Sequence, residues 1–507
     1  MRLPGSFIPL LCSTMLFGQT IQLDSTFNAN GRLVLDFQGD TASDYTEYAN
    51  CIGLQSDGRI VIGGEFGSDY SVIRLLSDGT LDTTFGSGGQ VRITTGSCED
   101  LILLSDDRIV TCGRVGTQTG SLNDTIHAAV IRLLPDGELD TAFADGGVFY
   151  LPTFSNDDAA YGLCAQTDGK ILVTGNCDWD DDGWFEMFAA RLEPQGVLDQ
   201  TFSFDGVVTK DMGGGLACGF GIDVMGDGRI VFGGWARNFL EYSAMVCRVM
   251  TNGAVDPTFG GGDGIAATVP NFYEHLAFDL LLQPDGKPVL SGRQTGGYDI
   301  AMFRFDLNGV LDPSFAGDGI ATAGTGAEAY DFRSACVMLP DGSFIAVGKN
   351  FGPFVLVHYA ADGSVEEVEA TGFEVPSAPR DIVRQPDGKI LVCGSSHSIT
   401  AEDSVVVTRY TLDVITEAPE HNEANEGLSV YPNPAVDVCW VSIPSAMGMG
   451  AWGGRLTDMT GRTVKEFSVP STTAALPLDL SDLLPGAYCM TVATGSCVRS
   501  VKLVLRP

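Results

Sequence analysis

The chain repeats itself, and that constrains its fold more than any other feature. A Leu-Asp-x-x-Phe element recurs at Leu23-Asp24-Phe27, Leu81-Asp82-Phe85, Leu139-Asp140-Phe143, Leu198-Asp199-Phe202 and Leu311-Asp312-Phe315, with Val255-Asp256-Phe259 as a close variant. Successive aspartates are 58, 58, 59, 57 and 56 residues apart. A second element, Asp-Gly followed by a basic residue, occurs at Asp57-Gly58-Arg59, Asp168-Gly169-Lys170, Asp227-Gly228-Arg229 and Asp387-Gly388-Lys389. Asp285-Gly286-Lys287 and Asp341-Gly342-Ser343 are weaker copies, and Asp106-Asp107-Arg108 has lost its glycine. That makes seven copies. A unit repeated at this period buries its apolar faces against its neighbours.

Each copy reads as four short strands. In the fourth copy these are 207–208, 221–224, 229–232 and 244–249. Asp-Gly and Asn-Gly dipeptides make the tight turns between them, because both tolerate positive φ. No helical period is sustained. Glycine at 64 of 507 residues fits a turn-rich chain. Four strands per unit, seven times over, predict an all-β chain built as a seven-bladed β-propeller; a linear β-solenoid would use shorter units. Arg74, Arg132, Arg191, Arg248, Arg304 and Arg409 recur in the fourth strand, with His358 in the place of Arg in copy six. In five copies the arginine precedes the repeat aspartate by eight residues. A partly buried pair is therefore expected for Arg74 with Asp82, Arg132 with Asp140, Arg191 with Asp199, Arg248 with Asp256 and Arg304 with Asp312.

Leu81-Asp82-Thr83-Thr84-Phe85-Gly86-Ser87-Gly88-Gly89 and Gln385-Pro386-Asp387-Gly388-Lys389-Ile390 resemble the delta-60 repeat, and the resemblance covers residues 20–414. It implies a propeller and no particular chemistry.

The ends read differently. Arg2 followed by an apolar run from Phe7 to Phe17 predicts a secretory signal peptide over 1–19, cleaved near Gly18 and Gln19. No other segment is long and apolar enough for a membrane span. Residues 415–427 carry Glu417, Glu420, Glu423 and Glu426 without a basic residue, an acidic linker. Alternating strands and glycine turns over 428–507 suggest a small β-sandwich. Its blocks, Leu428-Ser429-Val430-Tyr431-Pro432-Asn433-Pro434, Gly454-Arg455-Leu456-Thr457-Asp458 and Leu484-Pro485-Gly486-Ala487-Tyr488, resemble the type A sorting domain of the type IX secretion system of Bacteroidota. The resemblance implies export across the outer membrane, with the secretion machinery as partner of 428–507, and a secreted or cell-surface location.

The 29 basic and 65 acidic residues give a net charge of −36, of which residues 20–414 carry −34. Such a chain repels phosphate, which excludes nucleic acid and anionic membranes. His127, His275, His358, His397 and His421 share no motif, and no nucleophile elbow, zinc helix or P-loop is present. No catalytic residue or firm cofactor is assigned. The exported chain would have 12 cysteines after loss of Cys12, with no Cys-x-x-Cys motif. Cys51, Cys98, Cys164, Cys218 and Cys336 fall near one strand of five repeats and read as small core side chains, with pairings not deducible. One loop is sharper. Asp178-Trp179-Asp180-Asp181-Asp182-Gly183 with Glu186 places alternate carboxylates around a glycine turn, a pattern able to hold Ca²⁺ through Asp178, Asp180, Asp182 and Glu186. A solvated acidic hairpin is the alternative, and Trp179, Trp184 and Phe185 beside it could offer a glycan an aromatic patch. The expected function is a non-catalytic binding or adhesion propeller for an extracellular protein or glycan. The alternatives are a polysaccharide-active hydrolase or lyase using propeller-mouth carboxylates, and a structural matrix component.

Overall fold

The computed structural model describes residues 19–37, 47–116, 126–152, 158–178, 184–210, 215–238, 241–269, 274–295, 299–324, 333–349, 354–370, 377–396 and 403–414 of the repeat region. Of the C-terminal segment it describes 429–431, 438–442, 452–458, 462–469, 475–481, 483, 486–493 and 498–505. The expected signal segment 1–18 and the linker 415–427 lie outside the described residues. Two compact units divide between Val414 and Ile415. No helix among the described residues is long and apolar enough to cross a membrane.

The first unit is a seven-bladed β-propeller. The inner strands of its blades are Glu47–Leu54, the second half of Gln90–Leu103, Ala159–Ala165, Leu216–Val224, His275–Leu282, Ala335–Met338 and Ser377–Arg384. Each packs against the next, and the seventh packs against the first. The strand Gln90–Leu103 serves two blades. Its residues 90–95 pair with Asp69–Leu75 and its residues 96–103 with Ile109–Gly116, so one seven-stranded sheet is two blades joined.

Both faces of a blade are covered by neighbouring blades, so the second and third strands are apolar throughout instead of alternating. Ile230, Val231 and Phe232 are all fully buried, as are Met245, Val246 and Cys247. The Asp-Gly turns follow their chemistry. Gly58 takes φ +84°, and in the copy without glycine Asp107 adopts φ +63°, which aspartate tolerates better than most side chains.

The sequence repeat and the blade are offset by one strand. Val207–Lys210, the first strand of its repeat, pairs with Glu186–Leu192 as the outer strand of the preceding blade. The repeated arginines therefore sit on the third strand of each blade, not on a fourth. The same offset closes the ring. The last long strand, Ser404–Val414, pairs with Arg32–Leu35 along its first half and with Gln19–Leu23 along its second. The N-terminal segment thus supplies the outer edge of the seventh blade, and the register that sequence left open runs Leu23 against Tyr410 and Arg32 against Thr408.

The C-terminal unit is a small β-sandwich. One sheet is Ser429–Tyr431, Val438–Ser442 and Ala475–Asp479; the other is Thr463–Val469, Trp452–Asp458, Gly486–Ala493 and Val498–Leu505. Val441, Leu456, Leu478, Met490, Val492 and Leu503 fill the space between them, joined by Cys439.

Candidate functional site

Two kinds of site repeat around the propeller. The first joins neighbouring blades. In the third strand Arg74 Nε donates to Asp82 Oδ2 at 2.8 Å. The corresponding hydrogen bonds are 2.7 Å for Arg132 to Asp140, 2.7 Å for Arg191 to Asp199 and 2.7 Å for Arg248 to Asp256, and Arg304 Nε is ion-paired with Asp312 at 3.0 Å. The same guanidinium reaches a backbone carbonyl of the next blade: Pro194 at 2.6 Å, Thr251 at 2.6 Å, Leu307 at 2.7 Å and Ala361 at 2.9 Å from Arg132, Arg191, Arg248 and Arg304. Arg74 makes the same bond to Pro135. Each guanidinium also lies over the repeat phenylalanine, for example Arg248 at 4.3 Å from the Phe259 ring.

Residues of both sequence elements meet in this clamp. The basic residue after Asp-Gly returns to the clamp aspartate, as Lys170 does to Asp199 at 2.6 Å and Arg229 to Asp256 at 2.9 Å. The other carboxylate oxygen takes the N–H and hydroxyl of the residue two positions on, Thr258 at 2.9 and 2.6 Å in the Asp256 clamp. The phenylalanine wedges under the next blade's turn. At Gly253, φ +82°, an added Cβ would sit 2.9 Å from Ser203 N and 3.1 Å from the Phe202 ring.

Sequence reasoning missed the sixth pair. Arg409 Nε donates to Asp24 Oδ2 at 2.8 Å and its terminal nitrogen to Ser77 O at 2.7 Å, closing the ring across 385 residues of chain. The signal was present in the unpaired Leu23-Asp24 element and the unpaired Arg409. Burial alone would raise the Asp24 carboxyl, but bonds from Thr26, Lys389 and Arg409 outweigh it and hold it down to about 2. Asp199, Asp256 and Asp312 are held low in the same way. Copy six differs: His358 is buried, 3.0 Å from Ser343 Oγ and 3.2 Å from Glu366.

The second site lies on the propeller axis. Inner strands of all seven blades line one cavity of ≈ 110 Å³. Most of these strands carry a β-bulge, as between Cys98 and Asp100 and between Ala277 and Asp279. Counting seven residues back from the turn aspartate gives Asn50, Glu99, Tyr161, Phe220, Phe278, Ser334 and Arg380. Tyr161 and Phe220 stack at 4.8 Å, and Phe220 meets Phe278 edge-on at 5.4 Å. Arg333, one residue before Ser334, lies 5.0 Å from the Tyr161 ring and 5.2 Å from Phe220, and pairs with Glu99 at 2.7 Å. One side of the cavity is therefore aromatic and the other charged.

One residue further on, blades two, five and seven carry Asp100, Asp279 and Asp381. Each spends one oxygen on the next residue's N–H and the other on the following blade: Leu163 at 2.7 Å, Cys336 at 2.9 Å and Ile52 at 2.8 Å. Burial and the nearby Asp279 push the Asp100 carboxyl up to about 7 despite its two backbone bonds. Asp381 is raised by burial and by Asp100 and Asp279. Sequence reasoning missed this triad too, although each lies six residues before a turn aspartate.

Of the four calcium candidates, Asp180 and Asp182 lie outside the described residues, as does Trp179. Asp178 and Glu186 are buried at the two ends of the hairpin, and Asp178 N donates to Asp158 at 3.3 Å. No three potential ligands among the described residues are grouped to hold a metal. Trp184 is exposed. His127, His275 and His358 belong to different blades; His397 and His421 lie outside the described residues. Cys51, Cys98, Cys164, Cys218 and Cys336 all lie on inner strands.

Six segments, 55–85, 104–143, 166–202, 226–259, 283–315 and 385–413, match the family described as "Domain of unknown function (DUF5122) beta-propeller". The copy around His358, which lacks the clamp arginine, is outside them. Residues 429–506 match "Secretion system C-terminal sorting domain". Among solved structures, a protein of unknown function from Dyadobacter fermentans DSM 18053 is 12% identical, covering 76% of this chain and 98% of that one, with a TM-score of 0.40. The polysaccharide lyase Uly1 is 10% identical, covering 75% and 92%, with a TM-score of 0.42. A puromycin hydrolase is 13% identical, covering 78% and 59%, with a TM-score of 0.37. Likenesses this distant say nothing about chemistry. No curated protein matches the sequence.

Proposed function

We propose that this chain, which matches the DUF5122 β-propeller model in six segments and a secretion sorting domain over residues 429–506, acts as a non-catalytic binding module whose ligand seats in the axial cavity. The sorting domain engages the type IX machinery and directs the chain to the cell surface or the extracellular space. The observation that carries the binding reading is the contrast along one inner strand. The side chains that line the axis, Asn50, Glu99, Tyr161, Phe220, Phe278, Arg333 and Arg380, range over amide, carboxylate, aromatic and guanidinium, while the surrounding repeat is kept. Stacked aromatic rings beside a guanidinium suit a sugar face or a peptide side chain. The ligand is thus an extracellular glycan or protein segment.

The raised Asp100 carboxyl favours a second reading, a hydrolase or lyase. Against it, both oxygens of Asp100, Asp279 and Asp381 are committed to backbone donors, which leaves them as ties between blades. Capture on a panel of polysaccharides and peptides separates the two. Retention without turnover, lost in Tyr161→Ala and Phe220→Ala, supports binding. Turnover abolished by Asp100→Asn overturns it. Calcium at Asp178, Asp180, Asp182 and Glu186 is a further proposal, resting on the sequence pattern; calorimetry with and without chelator tests it, and no heat of binding removes it.

A further inference from the structure

Blade junctions near the axis are tied in more than one way. Asp100, Asp279 and Asp381 bridge the second blade to the third, the fifth to the sixth and the seventh to the first. At the junction of the first blade with the second, the position equivalent to those aspartates is Cys51. Its sulfur lies 3.7 Å from Cys98 Sγ on the inner strand of the second blade. Among the described cysteines no other two sulfurs come within hydrogen-bonding reach of each other. From this juxtaposition we propose that Cys51 and Cys98 form a disulfide in the exported protein, a covalent tie between the first two blades.

The surroundings are shaped for it. Both side chains are buried, at 1% and 0% exposure. They share a pit over Gly63 on the adjacent strand, where a Cβ would stand 2.4 Å from one sulfur and 2.7 Å from the other. Asn50 Nδ2 bonds Cys98 O at 3.0 Å and Ser97 Oγ at 2.9 Å, which holds the two inner strands in register. Closing from 3.7 Å to a bonded separation of about 2.05 Å needs the two sulfurs to share a short movement by side-chain rotation. Export by type IX secretion takes the chain out of the reducing cytoplasm. The reaction removes one proton from each thiol and two electrons from the pair. A disulfide-bearing oxidant accepts them by exchange and leaves as two thiols. Burial disfavours the Cys51 thiolate in the finished fold, so the exchange belongs to the stage before the second blade packs on the first.

Peptide mapping tests this directly, because tryptic peptides 33–59 and 93–108 each hold one cysteine. Exported protein is denatured without reductant, alkylated and digested. The expected product is the two peptides linked, lighter by two hydrogens than their sum and separated by reductant. A second measurement compares melting with and without prior reduction. The wild type should lose several degrees on reduction and Cys51→Ala should lose none. Recovery of both peptides singly alkylated from exported protein refolded with oxidised glutathione overturns the proposal, as does linkage of either cysteine to a different one.

Discussion

The interblade clamps and the axial cavity are built by the same repeats and obey opposite rules. At the clamp, arginine, aspartate, phenylalanine and a turn glycine recur in almost every blade, each with the same partner. At the axis, two strands away, the lining runs from Asn50 and Glu99 through Tyr161, Phe220 and Phe278 to Arg333 and Arg380. The clamp recurs at six junctions because each poses the same problem, a carboxylate, a guanidinium and a ring to be buried together; the copy with His358 is the exception. The axis is free to differ because its side chains border a cavity and meet different partners from blade to blade, Tyr161 stacking on Phe220 and Arg333 pairing with Glu99. Within this chain the uniform clamp holds six junctions at their turns, while the varied axial positions line the cavity and tie only some junctions.

Removing the closure should do the most damage. Deleting 19–35 takes away both strands paired to Ser404–Val414 and the Asp24–Arg409 clamp, and the expected outcome is loss of a single cooperative melt. An unchanged melt would show that the N-terminal edge is dispensable. Next comes Arg248→Ala. It removes a pair with both members 2% exposed, and breaking a buried pair costs about 3–5 kcal/mol; Arg229 still reaches Asp256, which favours the lower end. Chemical denaturation measures it, and a cost equal to that of an exposed arginine would break the comparison.

Acidity should separate the two regions without any mutation. Asp24, lowered to about 2, stabilises the fold above its unfolded value of 3.8, and that gain is lost as pH falls through 3.8 toward 2. Asp100, raised to about 7, works the other way. The native state holds its proton longer than the unfolded chain, so stability declines as pH rises from about 4 to about 7. Melting temperature should therefore peak in mildly acidic solution. Asp100→Asn should flatten the decline, and a slope identical to wild type would remove Asp100 as its source. The smallest stability effect belongs to Phe220→Ala. The ring is only partly buried beside the cavity, so the cost should fall below the ~3–5 kcal/mol of a core phenylalanine such as Phe202.

Much of this architecture was legible in the residues. The Leu-Asp-x-x-Phe and Asp-Gly-basic elements carry the clamp because each side chain in it has a fixed partner, and fixed partners leave a fixed spacing. The strand offset was not legible, because a repeat can be cut at any of its turns while a blade is defined by pairing. Asp24 with Arg409 escaped for the same reason: the two halves of one clamp sit at opposite ends of the repeat region. The axis was harder still. Asp100, Asp279 and Asp381 share a position only when counted from the turn, and Arg333 meets Tyr161 and Phe220 only across the ring. The −36 charge, which looked like a statement about partners, is in good part turn chemistry: Asp57, Asp168, Asp227 and Asp387 each cap the N–H two residues on.

The most direct test is the affinity of full-length protein for the panel member retained by wild type, compared with the Phe220→Ala chain at a temperature where both are folded. Axial binding predicts a loss of at least about tenfold, or 1.4 kcal/mol, while the melting temperature stays near that of wild type. An unchanged affinity would contradict it and place the ligand away from the axis.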